Sequence, residues 1–229
     1  LEKQIWLEED GSLSWNAPVE SGEIYDEYIS DPAKPVPYTA SFLSARSLYN
    51  RQYMSEDQRF ASTRPDVLVY SGQVLEEAII LSGSVEVELF VSTTGSDADW
   101  VLKLIDVFPD TANQRGLNQH EVEVGGYQML VRGDIFRGKY RNSFEHPEPF
   151  QAGDVSRVKF TLPDVNHCFQ KGHLMMIQVQ SSWFPLFDRN PQTFTNIYKC
   201  DKDAFQKATH RVYRSKEYPT NLTLPLIKK

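Results

Sequence analysis

Cysteine is nearly missing: Cys168 and Cys200 are the only two in 229 residues. A chain this long can bury a core that needs no staple, so the pair reads as two buried thiols, with a disulfide left open. No apolar run approaches the ~20 residues needed to cross a bilayer, which argues against a membrane partner. Basic side chains are outnumbered, 24 against 31 acidic, for a net charge of −7 with no Lys or Arg cluster. That balance argues against a nucleic-acid partner. Internal repeats and low-complexity tracts are also lacking. Helix signals are sparse, confined to Ile135 to Arg141 and Asp201 to Lys207.

The usual catalytic spacings are missing too. A nucleophilic serine on a strand-to-helix elbow needs G-x-S-x-G, so that a strained turn exposes the hydroxyl; Gly11-Ser12-Leu13-Ser14 and Gly83-Ser84-Val85 do not supply it. The five histidines (His120, His146, His167, His173, His210) show no H-x-x-x-H or H-E-x-x-H spacing, so no metal site is expected. His167 and Cys168 are neighbours, which puts them on opposite faces of a strand and out of reach for thiol chemistry. Asp97 and Asp99 read as turn residues rather than calcium ligands. Val124-Gly125-Gly126-Tyr127 has no following helix or lysine with which to cradle a phosphate. Asn221-Leu222-Thr223 matches a glycosylation sequon, a frequent accident. The chain therefore reads as having no catalytic residues and no cofactor of its own.

What is present is strand. Ile5 to Leu7 and Gly11 to Trp15 predict a hairpin turning through Glu9-Asp10-Gly11. Asp66 to Tyr70 and Ala78 to Leu81 are short apolar runs, the second ended by Ser82-Gly83-Ser84. Val85, Val87, Leu89 and Val91 alternate with polar residues, and Ala98 to Phe108 is apolar on both faces. Gly125-Gly126 predicts a turn between Glu121 to Val124 and Tyr127 to Val131. Further strands are expected at Val158 to Leu162, Thr209 to Arg214 and Leu222 to Leu226. About ten strands separated by turn clusters predict an all-β, two-sheet sandwich of jelly-roll type in a single domain, 1–229. Residues 1–65 form its entry and 66–229 its core. Most of that entry mixes five prolines with Tyr25, Tyr28, Tyr38, Phe42, Tyr49, Tyr53 and Phe60. It is too aromatic for a disordered linker and too proline-rich for regular structure, so an ordered excursion is expected.

One stretch organises the rest. In His173 to Gln192, Met175, Ile177 and Val179 share one strand face, and Leu174, Met176, Gln178 and Gln180 share the other. Two prolines then end the strand, and Trp183, Phe184 and Phe187 run into Asp188-Arg189-Asn190. A rigid loop with an apolar body and a polar end either plugs its own sandwich or presses against a neighbour.

Several of these segments, in order, closely resemble one family. They are Arg64 to Tyr70, the Gly83 to Val91 strand, Asp97 to Asp110 (DADWVLKLIDVFPD), Gly133 to Arg141 (GDIFRGKYR), Lys171-Gly172-His173 and Ser181 to Pro191 (SSWFPLFDRNP). The resemblance is to the C-terminal, non-catalytic domain of X-Pro dipeptidyl-peptidase and cocaine-esterase-like acyl hydrolases. That group includes α-amino acid ester hydrolases and glutaryl-7-aminocephalosporanic acid acylases. It implies a galactose-binding-domain-like jelly roll that follows an α/β-hydrolase domain with a Ser-His-Asp triad and a helical cap, its partners in the same polypeptide. The triad has no matching positions in this sequence. The resemblance also implies that the early loop helps wall the acyl pocket, with Phe42 and Leu43 as wall residues, and that Trp183, Phe184, Asp188, Arg189 and Asn190 form a docking or structural loop. Small acyl ester, amide or peptide substrates would act through the parent enzyme. The aromatic excursion would then show an apolar patch larger than a monomer normally exposes. A homo-oligomer is left open. The start at Leu1, without methionine or a signal-like segment, reads as excision from something longer, of cytoplasmic or exported location. The alternative is a free-standing carbohydrate-binding sandwich that stacks sugars on Trp15, Trp100 or Trp183.

Overall fold

The computed structural model describes residues 1–40, 51–112 and 124–227. Eleven strands are found among them: β1 (Glu2–Glu8), β2 (Ser12–Ser14), β3 (Tyr25–Ser30), β4 (Leu68–Ser71), β5 (Ile79–Thr93), β6 (Asp99–Val107), β7 (Gln128–Arg137), β8 (Ser156–Phe169), β9 (Leu174–Gln180), β10 (Ala208–Tyr213) and β11 (Asn221–Pro225). One short helix, α1 (Arg59–Ser62), accompanies four 3₁₀ turns.

The strands hydrogen-bond in the order β3-β10-β5-β11-β1-β2-β4-β9-β6-β7, with β8 on the free edge of β5. β10 and β11 share the other edge of β5 end to end. The path crosses from one layer to the other at β2 and β4, which touch through a single parallel pair, Ser12 and Ser71. Alternation explains why the layers stack. Val85, Val87, Leu89 and Val91 of β5 and Val158, Phe160 and Leu162 of β8 point inward. They meet Trp100, Leu102 and Leu104 of β6 and Met175, Ile177 and Val179 of β9 in one buried cluster. The expected all-β sandwich is what the chain builds.

The opposite face of β6 and β9 is buried as well. Val101, Ile105 and Met176 pack there with Tyr38, Leu130 and Trp183 in a second cluster. The entry residues Tyr38 and Tyr53 and the loop after β9 thus cover a sheet face that would otherwise meet water.

Three local expectations are corrected. Tyr25–Ser30, inside the proline-rich entry, is strand β3, paired along its length with β10. Ser82-Gly83-Ser84 does not end a strand: β5 runs straight through it, and the pairing with β8 shifts register between Gly83 and Val85. Gly83 takes φ +126°, so the glycine absorbs a bulge where a breaker was expected. Ile135 to Arg137 continue β7, and only Gly138–Tyr140 form a helical turn, of the 3₁₀ kind. Cys168 and Cys200 are free and half-buried. Phe42 and Leu43, with most of the Glu121 to Val124 strand, lie outside the described residues.

Candidate docking face around the Trp183 to Asn190 loop

The loop after β9 is zipped to residues 36–38. Ser182 Oγ accepts from the Val36 amide at 2.8 Å. The Phe184 amide donates to Val36 O at 3.0 Å and Phe184 O accepts from Tyr38 N at 2.9 Å. The Phe184–Pro185 peptide is cis. Pinned this way, Trp183 turns inward and is 4% exposed. It stacks on Phe187 with ring centres 6.1 Å apart and meets the Tyr53 ring edge-on at 6.2 Å. Phe184 stays 37% exposed. The Arg189 guanidinium sits 5.3 Å from its ring and 5.3 Å from that of Phe205, while donating to Pro32 O at 2.8 Å. Trp183 is therefore a plug for its own sandwich, and Phe184 is a surface residue.

The polar end of the loop reaches the buried start of β6. Asn190 Nδ2 donates to Asp99 Oδ1 at 2.8 Å, and Asn190 Oδ1 accepts from Gln192 N at 2.7 Å. Asp97 and Asp99, expected in a turn, are wholly buried. Lys139 Nζ lies 3.5 Å from Asp97 Oδ2, and Arg137 NH1 lies 3.9 Å from Asp99 Oδ2. Burial outweighs these cations and pushes the Asp99 carboxyl up to about 7, and it raises Asp97 as well. Behind them His210 Nε2 bonds Gln192 Oε1 at 2.7 Å. Burial lowers that imidazole to about 3, so it is neutral near pH 7. Asp188 Oδ2 accepts from the Tyr198 hydroxyl at 2.9 Å.

Two further polar groups escaped the sequence reading. Lys103 is fully buried in the outer face of β6. Its ammonium donates to Gln58 Oε1 at 3.0 Å and lies 5.2 Å from the Trp183 ring and 5.8 Å from that of Phe60. Desolvation lowers it to about 7. A lysine within Trp100-Val101-Leu102-Lys103-Leu104-Ile105, a run apolar on both faces, was the available signal. Asp106, on the inner face, bonds His167 Nε2 and His173 Nδ1, each at 2.9 Å. Cys168 faces away and is half-buried, as the strand period requires. Among the described residues neither imidazole is bonded to a serine or cysteine, so the arrangement is a clamp between β6, β8 and the start of β9.

Among the described rings of the aromatic excursion, Tyr28 and Tyr38 are each 3% exposed, and Tyr25, Tyr53 and Phe60 are half-buried, while Phe42 and Tyr49 lie outside the described residues. None of the described rings is among the exposed large hydrophobic side chains. The sugar-stacking alternative also fails on geometry, because Trp100 is wholly buried, Trp183 nearly so, and Lys3 Nζ sits 4.3 Å from the Trp15 ring.

Comparison with known proteins fits this picture. A family model described as the X-Pro dipeptidyl-peptidase C-terminal non-catalytic domain matches residues 8–223. Cocaine esterase from Rhodococcus sp. (strain MB1 Bresler) is 33% identical over 219 residues, 96% of this chain and 35% of that protein. A solved α-amino acid ester hydrolase is 42% identical with a TM-score of 0.90, over 99% of this chain and 36% of its own. The crystal structure of an aminopeptidase from a marine sediment archaeon, Thaumarchaeota archaeon, is 41% identical, also with a TM-score of 0.90, over 100% of this chain and 37% of its own. The chain spans about a third of the length of these relatives.

Proposed function

The chain belongs to the family of X-Pro dipeptidyl-peptidase C-terminal non-catalytic domains, and on that premise we propose that it serves a serine acyl hydrolase by docking on the α/β-hydrolase and cap portions of the same polypeptide. The observation that carries this reading is one of proportion: the likeness runs along nearly all of this chain yet fills about a third of each relative. Bond-making falls to the remaining two thirds. Residues 1–65 and 66–229 act together as one unit, in which the entry covers the outer face of β6 and β9. Phe42 and Leu43 wall the acyl pocket, where apolar side chains exclude water from the reacting carbonyl. The reaction is hydrolysis of a small ester, amide or peptide by an activated serine.

The test uses the full-length parent protein with a protease site introduced just ahead of Leu1. After cleavage the two pieces are expected to stay together and to keep p-nitrophenyl ester hydrolysis, and to lose it when separated. Ester hydrolysis by the 229-residue chain alone would overturn the proposal. So would pieces that part without loss of rate.

A further inference from the structure

We propose that the surface cleft over Arg137, walled by Tyr140, Phe194 and Tyr198, seats a carboxylate side chain of the catalytic portion and is the main docking contact. The inference rests on the accessory-domain reading above and names the surface that reading leaves open.

The first observation is an incompletely partnered guanidinium. Arg137 closes β7 at the floor of a cleft of about 490 Å³. Its NH1 is buried without a hydrogen-bond partner. The nearest carboxylate oxygen, Asp99 Oδ2, stands off at 3.9 Å while Asn190 holds the other oxygen at 2.8 Å. Lys139 beside it is spent inward on Asp97 and on Thr195 O. A guanidinium presents a planar fork that fits a carboxylate bidentately, and burying it half-satisfied is costly. NH1 itself faces Asp99 Oδ2, which is likewise buried without a partner, so a carboxylate from outside would meet the part of the side chain, 23% of it, that stays exposed.

The second observation is independent of charge. Tyr198 is 78%, Phe144 79% and Phe194 39% exposed. They sit on the two loops that flank Arg137, and Tyr140 lines both this cleft and its neighbour by Phe144. Tyr140 stacks on Phe144 with centres 6.2 Å apart, and Tyr198 is steadied by its bond to Asp188. Exposed aromatics around a partly desolvated arginine have the composition of an interface hot spot, and they are too open to enclose a small molecule. Two thirds of each relative's length lies outside the matched region. A catalytic portion joined to this chain meets the cleft at an effective concentration on the order of millimolar, which favours it over a second copy.

The experiment places a photo-crosslinking amino acid at Tyr198 in the full-length protein. It also compares Arg137→Gln and Tyr198→Ser in the protease-cleavable form. The expected result is a crosslink to a catalytic-portion peptide containing Asp or Glu, and a dissociation constant raised ten-fold or more by either variant. The wild-type constant should rise with salt and the Arg137→Gln constant should rise less. Tyr198→Ser alters an exposed side chain, so misfolding cannot imitate its effect. Wild-type pieces that hold together while neither variant loosens them, or a crosslink to a second copy or to nothing, would overturn this assignment alone. Wild-type pieces that never associate would overturn it together with the accessory-domain reading.

Discussion

Lys103 Nζ lies 3.0 Å from Gln58 Oε1, and among the described residues no carboxylate comes within ion-pair distance of that wholly buried ammonium. Burial lowers the lysine to about 7, against about 10.4 in an unfolded chain. Between those values the unfolded state binds more protons, so stability must rise with pH across that window. The penalty is full below pH 7 and gone above the unfolded value, on the order of 4 kcal/mol. Lys103→Met is therefore expected to raise the urea midpoint at pH 6 and to flatten the rise between pH 7 and 10. Gln58 Oε1 is left unpaired, which returns about 1 kcal/mol. A variant less stable than wild type at pH 6 would show that the ammonium is better solvated than its surroundings imply.

Asp99 has the opposite slope. Its carboxyl stands near 7 because burial outweighs Arg137 and Asn190, whereas an unfolded aspartate titrates near 3.9. The folded state holds the extra proton in this window, so stability falls as pH rises from about 4 to 7 and is flat beyond. Asp99→Asn keeps an oxygen for Asn190 and removes the charge. Denaturation at pH 8 is expected to show it at least as stable as wild type, with little difference at pH 4. With Lys103, this puts the combined penalty of the two groups at its greatest near neutrality.

Asp106 is clamped by His167 and His173, each at 2.9 Å, and it joins β6 to β8 and to the start of β9. Asp106→Ala strands two imidazole nitrogens and opens a small void. A loss of roughly 2–4 kcal/mol is expected by chemical denaturation. Asp106→Asn keeps one acceptor oxygen and should lose about half as much. Equal losses in the two variants would mean that packing matters here and bonding does not.

What could be read from the sequence followed how local each signal was. Met175, Ile177 and Val179 alternate within five residues, and the structure buries them on the face their spacing requires. For Trp183 the sequence left a plug and a partner contact open, because residue type alone does not say what an aromatic ahead of a proline packs on, and the structure buries it. The clamp on Asp106 spans 61 and 67 residues, and it depends on the pairing of β8 with β5 and the stacking of two sheets. No short-range pattern carries that. β3 was hidden by the prolines around it, and β5 was cut in two because Gly83 reads as a breaker when only the sequence is in view. The exposed rings illustrate the same limit. Tyr28 and Tyr38 had the density of a surface patch but found partners inside, while Phe144, Phe194 and Tyr198 stand exposed in loops that composition passes over.

Gly138 supplies a test of packing free of charge. A Cβ added there would meet the Phe150 ring at 2.6 Å and Ala98 O at 2.7 Å. The Gly138 amide donates to that same Ala98 O at 2.8 Å, so the backbone cannot retreat without losing a bond between β7 and β6. Phe150 is 2% exposed and has the Arg141 guanidinium 4.3 Å from its ring, so the ring cannot swing aside cheaply. Gly138→Ala is expected to cost about 2–4 kcal/mol, the upper range for overpacking. Gly172→Ala is the control. Gly172 has φ +87°, and a Cβ added to it would meet nothing within 4 Å, so only backbone strain of about 1 kcal/mol applies. Thermal unfolding of the two variants should therefore separate clearly, with Gly138→Ala the lower. Reversal of that order would place the constraint in the turn between β8 and β9, and not in the contact between Gly138 and Phe150.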